Sequence, residues 1–241
     1  MKLFVTDYDG TFFIDNVSIN ENIKMLKKLH ENDFKIMIST GRSYPSIKNQ
    51  MDIYNIPYDY LSCADGSILY DNNDNILKMY LMDNKIIQPF KDFYQNLDYE
   101  EIQFSYPTGY SNILSNTDDR LLGINVCIST LNYTKEIVDS FLEMKIKYPK
   151  YHFLNYMHPN FSYLCIKPYG IDKSSTITYL KNKYNIKLEN IYVIGDSYND
   201  YEMIKKYHGS CMDTSCNDVL NIAKKKYHSV SDYIKDILKE D

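Results

Sequence analysis

Two short acidic motifs each follow an apolar run, one near each end of the sequence. Asp-Tyr-Asp-Gly-Thr at residues 7–11 follows apolar residues 3–5, and Gly-Asp-Ser-Tyr-Asn-Asp at residues 195–200 follows apolar residues 191–194. Such runs are typical of buried strands, and open α/β sheets bind ligands at the carboxyl edge of their strands. Carboxylates gathered there, with no Cys/His cluster beside them, favour a hard oxygen-binding cation such as Mg²⁺.

Asp7 and Asp9 are predicted to work together. Residues two apart on a strand point to the same side, so both carboxylates can converge where Gly10 turns the chain. Two carboxylates about 4 Å apart repel by roughly 4 kcal/mol at an effective dielectric near 20, and Asp196 would add to the repulsion. Such a cluster is stable only with a counter-cation or with one acid protonated. A divalent cation would leave Asp7 as an ionised nucleophile and Asp9 to exchange a proton with a leaving oxygen. An isolated Asp-x-Asp-Gly is often only a turn, but the second motif favours the chemical interpretation.

Three further residues carry weaker signals. Thr40 follows the end of a predicted strand and precedes Gly41, where a hydroxyl and backbone N–H groups can bind phosphoryl oxygens, although a helix N-cap is the alternative. Lys173 stands at a helix start, where a cation is unfavourable unless an anion offsets it, so we expect a phosphate or carboxylate contact rather than a solvated lysine. Arg42 fits a substrate contact and a surface position equally well.

The elements around these residues alternate between strand and helix. Helices are predicted from the capping-box spacing at residues 18–21, from about residue 46 to before Pro57, and at 172–184 and 199–207. Buried strands are predicted at residues 2–7, 34–39, 60–63 and 191–194. Buried strands between helices predict an α/β fold with a Rossmann-like core and a parallel sheet.

The pattern changes between residues 83 and 169. Predicted helices at 85–97 and 135–147 alternate there with strand-like stretches at 102–106, 122–129 and 162–167. This mixture predicts an α+β insert. The predicted domains are therefore a core of residues 1–82 and 170–241 and an inserted domain of residues 83–169.

With these motifs in order, the chain resembles the haloacid dehalogenase (HAD) superfamily, in particular its Cof-type subfamily with an α+β cap. The motifs are residues 7–11, Thr40 within Ser-Thr-Gly-Arg, Lys173, and residues 195–200. The resemblance covers essentially the whole chain, although the insert matches by position and size rather than by motif. It implies a core hydrolase domain and a cap that closes over the site and determines substrate specificity.

The resemblance also implies roles for individual residues. Asp7 would be the nucleophile and Asp9 the general acid/base. Mg²⁺ would be held by the Asp7 carboxylate, the Asp9 backbone carbonyl and Asp196. The other implied roles are phosphoryl binding by Thr40, Gly41 and Lys173, a place near the phosphate or metal for Asn199, and orientation of Lys173 or of metal-bound waters by Asp200.

Three positions depart from the family pattern. Asp65-Gly66 stands where Asn-Gly is usual, and both residues are possible substrate contacts together with Arg42. The added negative charge of Asp65 puts an inherited contact there in question. Ser174 replaces a usual glycine, and residues 212–216 are a loose version of the usual small-residue loop.

Bulk properties limit the partners. The net charge of −5 gives no basic surface for nucleic acid and would repel anionic membranes, and no run approaches the roughly 18 apolar residues of a membrane span. Five cysteines without a CxxC pair fit a reduced cytoplasm. These properties predict a cytoplasmic protein, and we expect a monomer or small homo-oligomer. The resemblance implies that its partner is a small phosphorylated metabolite.

The predicted function is that of a Mg²⁺-dependent phosphatase that uses an aspartyl-phosphate intermediate, with sugar phosphates as favoured substrates because of the resemblance. A phosphotransferase or phosphomutase using the same intermediate, and a non-catalytic sugar-phosphate-binding regulator, are the alternatives. Residues 106–110 and 155–160 are predicted to face the substrate because of their turn content.

Overall fold

The computed structural model describes residues 1–95, 97–115, 119–157 and 160–240. The chain forms two compact units. The first comprises Met1–Arg42, Ser46–Lys78 and Asp172–Asp241, and the second comprises Ser43–Pro45 and Met79–Ile171. The predicted domain boundaries at 82/83 and 169/170 stay a proposal.

Strands and helices alternate along most of the chain. In the described ranges the strands are β1 (Lys2–Asp7), β2 (Phe34–Ser39), β3 (Tyr60–Cys63), β4 (Ile68–Asp71), β5 (Ile76–Met79), β6 (Glu101–Tyr106), β7 (Gly109–Ser111), β8 (Gly123–Ser129), β9 (Tyr151–Met157), β10 (Phe161–Pro168), β11 (Ile191–Gly195), β12 (Ser210–Met212) and β13 (Lys226–Tyr227). The α-helices there are α1 (Ser18–Glu31), α2 (Tyr44–Tyr54), α3 (Ile87–Tyr94), α4 (Lys135–Lys147), α5 (Lys173–Lys183), α6 (Tyr201–Tyr207), α7 (Asn217–Ile222) and α8 (Val230–Glu240).

The first unit is built on a mostly parallel sheet. Its strand order is β13-β12-β11-β1-β2-β3-β4-β5, parallel from β13 through β3, with β4 antiparallel to β3. Consecutive residues Leu3, Phe4 and Val5 of the central strand are all fully buried, as expected of a sheet covered on both faces. The predicted α/β class and parallel sheet are therefore confirmed.

The register of this sheet brings three strand ends together. Asp7 pairs with Ser39 of β2, and Thr6 pairs with Ile194 of β11. Since these strands are parallel, the residues that follow each of them emerge at the same carboxyl edge. The edge thus collects segments that lie far apart in sequence.

The second unit contains an antiparallel sheet with the order β7-β6-β8-β10-β9. Ile124, Val126 and Ile128 alternate along β8 and share one core with Phe90 of α3 and Phe141 of α4. One sheet face is therefore apolar and covered by helices, which is the α+β arrangement expected of the insert.

Several element predictions need correction. The predicted helix at 85–97 is a short 3₁₀ turn followed by α3, which ends at Tyr94. The N-cap of α1 is Val17 and makes no side-chain cap bond, so the capping box predicted at residues 18–21 is wrong. Asp15 accepts hydrogen bonds from the backbone N–H groups of Val17 and Ser18 instead.

No helix in the described part of the chain is long and apolar enough to cross a membrane.

Candidate active site

Asp7 and Lys173 form the buried centre of the carboxyl edge. Asp7 ends β1, and Lys173 is the first residue of α5, whose start is fixed by a capping box on Asp172. Lys173 Nζ donates to Asp7 Oδ1 at 2.5 Å and to Asp200 Oδ1 at 2.7 Å. Because Lys173 is only 1% exposed, its ammonium is dedicated to these carboxylates rather than to solvent.

Asp200 organises the loop after β11. It is fully buried, and its Oδ2 accepts the backbone N–H groups of Asp196 and Ser197, each at 3.0 Å. A side chain at Gly195 would place a Cβ 2.5 Å from Asp200 Cγ, so only glycine fits there. Asp196 in turn accepts a 2.6 Å hydrogen bond from Thr11 Oγ1. Thr11 was not among the predicted site residues, although its place at the end of the first motif was the available signal.

Three carboxylates crowd this centre. Asp7, Asp196 and Asp200 each offer an oxygen within 4.8 Å of the others. Burial raises the pKa of Asp7 well above its ordinary value, and Asp200 and Asp196 raise it further against the opposing effect of Lys173. The pKa of Asp196 is also raised, chiefly by burial and next by the negative charge of Asp200. Burial would lower the pKa of Lys173, but the charges of Asp200, Asp7 and Asp65 outweigh it and keep the ammonium protonated.

The Asp9 side chain lies apart from this cluster. Its carboxylate is half exposed and forms a two-pronged pair with Arg42, with Nε to Oδ2 at 2.8 Å and Nη2 to Oδ1 at 2.6 Å. The hydrogen bonds to Asp9 raise the pKa of Arg42. The expected convergence of both carboxylates is therefore not seen. Because β1 ends at Asp7, the two-residue alternation no longer governs Asp9.

Thr40 and Gly41 lie directly after β2, one residue past the partner of Asp7. Thr40 is buried, its backbone N–H donates to Ser62 O, and its hydroxyl accepts from the backbone N–H of Arg42 at 3.1 Å. These bonds hold the loop at the same edge as Asp7. The next helix, α2, begins only at Tyr44, so Thr40 does not occupy an N-cap position.

Asp65, Gly66 and Asn199 form a second polar group in the same unit. Asn199 Nδ2 donates to Asp65 Oδ1 at 3.0 Å, and a Cβ at Gly41 would lie 3.0 Å from that oxygen. Gly66 has a φ of +88°, and a Cβ there would lie 2.0 Å from Asp172 O. The site thus contains Asp65 as a carboxylate that binds Asn199, while the Asn199 role beside phosphate or metal stays a prediction.

The predicted substrate-facing segments belong to the second unit. Residues 106–110 include the turn between β6 and β7. In the segment 155–160, residues 158 and 159 lie outside the described residues.

The side chains of Asp7, Asp196, Asp200 and Lys173 come together, and Thr11 joins them through Asp196.

Comparison with known proteins gives one family. The sequence model described as haloacid dehalogenase-like hydrolase matches residues 4–120 and 108–233. A 5-amino-6-(5-phospho-D-ribitylamino)uracil phosphatase of Bacillus subtilis is 24% identical over 250 residues, covering 100% of this chain and 92% of the relative.

Solved structures show the same fold. A haloacid dehalogenase-like hydrolase from B. subtilis superposes with a TM-score of 0.80 at 16% identity, covering 98% of this chain and 99% of the other. A phosphatase of the haloalkanoate (HAD) enzyme superfamily from Bacteroides thetaiotaomicron gives a TM-score of 0.79 at 18% identity, covering 99% and 94%. These similarities extend over both units and confirm the predicted fold class.

Proposed function

This chain belongs to the haloacid dehalogenase-like hydrolase family, and we propose that it hydrolyses small phosphomonoesters with Asp7 as the nucleophile. The observation that carries the proposal is the buried Asp7–Lys173 contact at a sheet edge lined by two more carboxylates. A lysine that stays cationic beside Asp7 stabilises both the ionised carboxylate and a phosphoryl group brought next to it. Phosphoryl transfer depends chiefly on such positioning and charge neutralisation.

The proposed reaction has two steps. A carboxylate oxygen of Asp7 attacks phosphorus, the ester P–O bond breaks, and Asp9 gives its proton to the departing oxygen. A water molecule then attacks the aspartyl phosphate while Asp9 takes one of its protons, and the P–O bond to Asp7 breaks to release inorganic phosphate. Asp9 is thus acid in the first step and base in the second.

The residues present suit a divalent cation. Asp7, Asp196 and Asp200 lie together with only the ammonium of Lys173 to offset them, and burial together with the neighbouring carboxylates raises the pKa values of Asp7 and Asp196. The ligand atoms are all oxygens, which Mg²⁺ prefers. We propose that the Asp7 carboxylate, the Asp9 carbonyl and Asp196 hold the ion, which would supply charge neutralisation to the phosphoryl group.

Thr40, Gly41 and Lys173 are the proposed phosphoryl ligands. Thr40 and Gly41 follow the strand next to Asp7, and Lys173 already touches the nucleophile. Hydroxyl, backbone N–H and ammonium groups together can donate to several phosphoryl oxygens. Asp200 supports this group by holding Lys173 and the Asp196 backbone.

The proposed substrates are sugar phosphates or similar small metabolites. The B. subtilis relative is named for a phosphorylated ribitylamino uracil, in which a polyhydroxy chain is attached to a nitrogen-containing ring. Its 24% identity makes that compound a sensible member of a substrate panel. The cytoplasmic location and the monomeric or small homo-oligomeric state stay predictions.

The test is phosphate release from sugar phosphates, nucleotides, the phosphoribitylamino compound and p-nitrophenyl phosphate, with Mg²⁺ and with a chelator. We expect Mg²⁺-dependent turnover that Asp7→Asn abolishes, while Asp218→Asn, an exposed control on α7, keeps the wild-type rate. Acid-quenched protein should carry a hydroxylamine-labile phosphate. Wild-type activity in Asp7→Asn would refute the nucleophile, and turnover unaffected by the chelator would refute the metal requirement.

A further inference from the structure

The Asp9–Arg42 pair has the geometry of a clamp. Two different nitrogens of Arg42 each donate to a different oxygen of Asp9, at 2.8 and 2.6 Å. Such fork-to-fork pairing fixes the plane of a carboxylate as well as its position. A lysine could offer only a point charge at the same place.

Arg42 is itself held in place. Its backbone N–H donates to Thr40 Oγ1, and its carbonyl accepts from Ala64 N at 2.9 Å. The guanidinium carbon lies 5.2 Å from the centre of the Tyr8 ring, a cation–π contact. Tyr8 is fully buried and stacks on Phe13 with 5.7 Å between ring centres. The clamp therefore rests on the core of the first unit.

We infer that Arg42 is a positioning residue for Asp9 rather than a substrate contact. This inference rests on the proposed function. Isolated surface pairs restrain little, but this pair is two-pronged and its arginine is anchored at three points. Asp9 lies past the end of β1 and has no place in the buried carboxylate cluster. Within the part of the chain that the structure describes, the two hydrogen bonds from Arg42 fix the orientation of the Asp9 carboxylate.

The orientation of Asp9 matters only where a proton must move. A general acid must reach the departing oxygen within hydrogen-bond distance. An alkoxide is a poor leaving group and needs that proton, whereas p-nitrophenolate departs readily without it. Loss of the clamp should therefore slow hydrolysis of an alkyl phosphate and spare p-nitrophenyl phosphate.

A double-mutant cycle with Arg42→Gln, Asp9→Asn and the combined variant tests this role, using glycerol phosphate and p-nitrophenyl phosphate in Mg²⁺. Arg42→Gln should lower kcat on glycerol phosphate by about 10- to 100-fold, change KM less than about threefold, and lower kcat on p-nitrophenyl phosphate less than about threefold. When Arg42→Gln is added to Asp9→Asn, kcat should fall by less than about a further twofold, because the Asp9 carboxylate that Arg42 positions is already removed. Arg42→Lys should recover only part of the lost kcat.

Lys28→Gln on α1 is the control for loss of an exposed charge, and melting within about 3 °C of wild type shows that each variant folds. Independent effects of Arg42→Gln and Asp9→Asn, equal losses on both esters, or a raised KM with unchanged kcat would overturn the inference. Each of these outcomes can be observed only if the wild-type protein hydrolyses the two esters. No turnover by the wild-type protein would overturn the proposed function, and with it the catalytic role of Arg42.

Discussion

Replacing Lys173 by methionine should destabilise the protein far more than the same replacement of an exposed lysine such as Lys27. Asp7 and Asp200 are 4% and 0% exposed, and the ammonium of Lys173 lies 2.5 and 2.7 Å from their oxygens. Methionine is unbranched and only one heavy atom shorter than lysine, but it leaves two buried carboxylates without their cation. Removing one partner of a buried ion pair costs about 3–5 kcal/mol, and we expect a loss of that size at neutral pH.

The pH dependence of this loss identifies its cause. The folded-state pKa of Lys173 is raised above its ordinary 10.5, so its contribution is fully present below 10.5 and disappears only as pH rises through the folded value. In the variant, the already raised pKa of Asp7 rises further, which lets that carboxyl protonate as pH falls. The difference in unfolding free energy between wild type and variant should therefore shrink from neutral pH towards about pH 5.

The assay is urea unfolding in a chelator, because a bound cation would add its own stabilisation. Lys27→Met, an exposed position on α1, should change stability by less than about 0.5 kcal/mol. Adding Asp200→Asn to Lys173→Met should cost less than the sum of the two single changes, since the charge left unpaired is then removed. A loss below about 1 kcal/mol for Lys173→Met, or a loss that grows on acidification, would refute the reasoning.

Three further predictions address other parts of the first unit. Gly66→Ala should lower stability by more than about 1 kcal/mol in urea unfolding, because a Cβ would lie 2.0 Å from Asp172 O at a φ of +88°; unchanged stability would contradict this close approach. Asp59→Asn should lose about 1 kcal/mol near neutral pH. Burial alone would raise the pKa of Asp59, but three hydrogen bonds lower it below 3.8. Its stabilisation is therefore present above 3.8 and lost as pH falls through the folded pKa, so the difference should vanish in acid unfolding; a difference that persists there would contradict the assignment. Asp65→Asn removes a negative charge from the group that binds Asn199 and should lower KM for a phosphomonoester about two- to fivefold; an unchanged or higher KM would argue against charge repulsion there.

The alternation of apolar runs and helical faces could be predicted because it reflects local physics. The ends of β1 and β2, the whole of α4 and the Asp172 cap of α5 agree with the sequence patterns. A buried parallel strand needs apolar side chains on both faces, and a capping side chain must stand next to the helix it starts. β7 and β9 were not predicted, because β7 has only three residues and β9 lacks a regular apolar alternation, so both strands are defined by their antiparallel pairing with β6 and β10.

The sequence alone determined which residue types stand at strand ends, and from these the family and the acidic character of the site. Only the tertiary structure decided the partners. It paired Lys173 with Asp7 across 166 positions of sequence, placed Thr11 on Asp196, and turned Asp9 away to Arg42. The physical reason is that sequence patterns fix periodicity and turns within a few residues. The contact between two side chains depends instead on where separate strands and helices are brought together by packing and on what charge each carboxylate then meets.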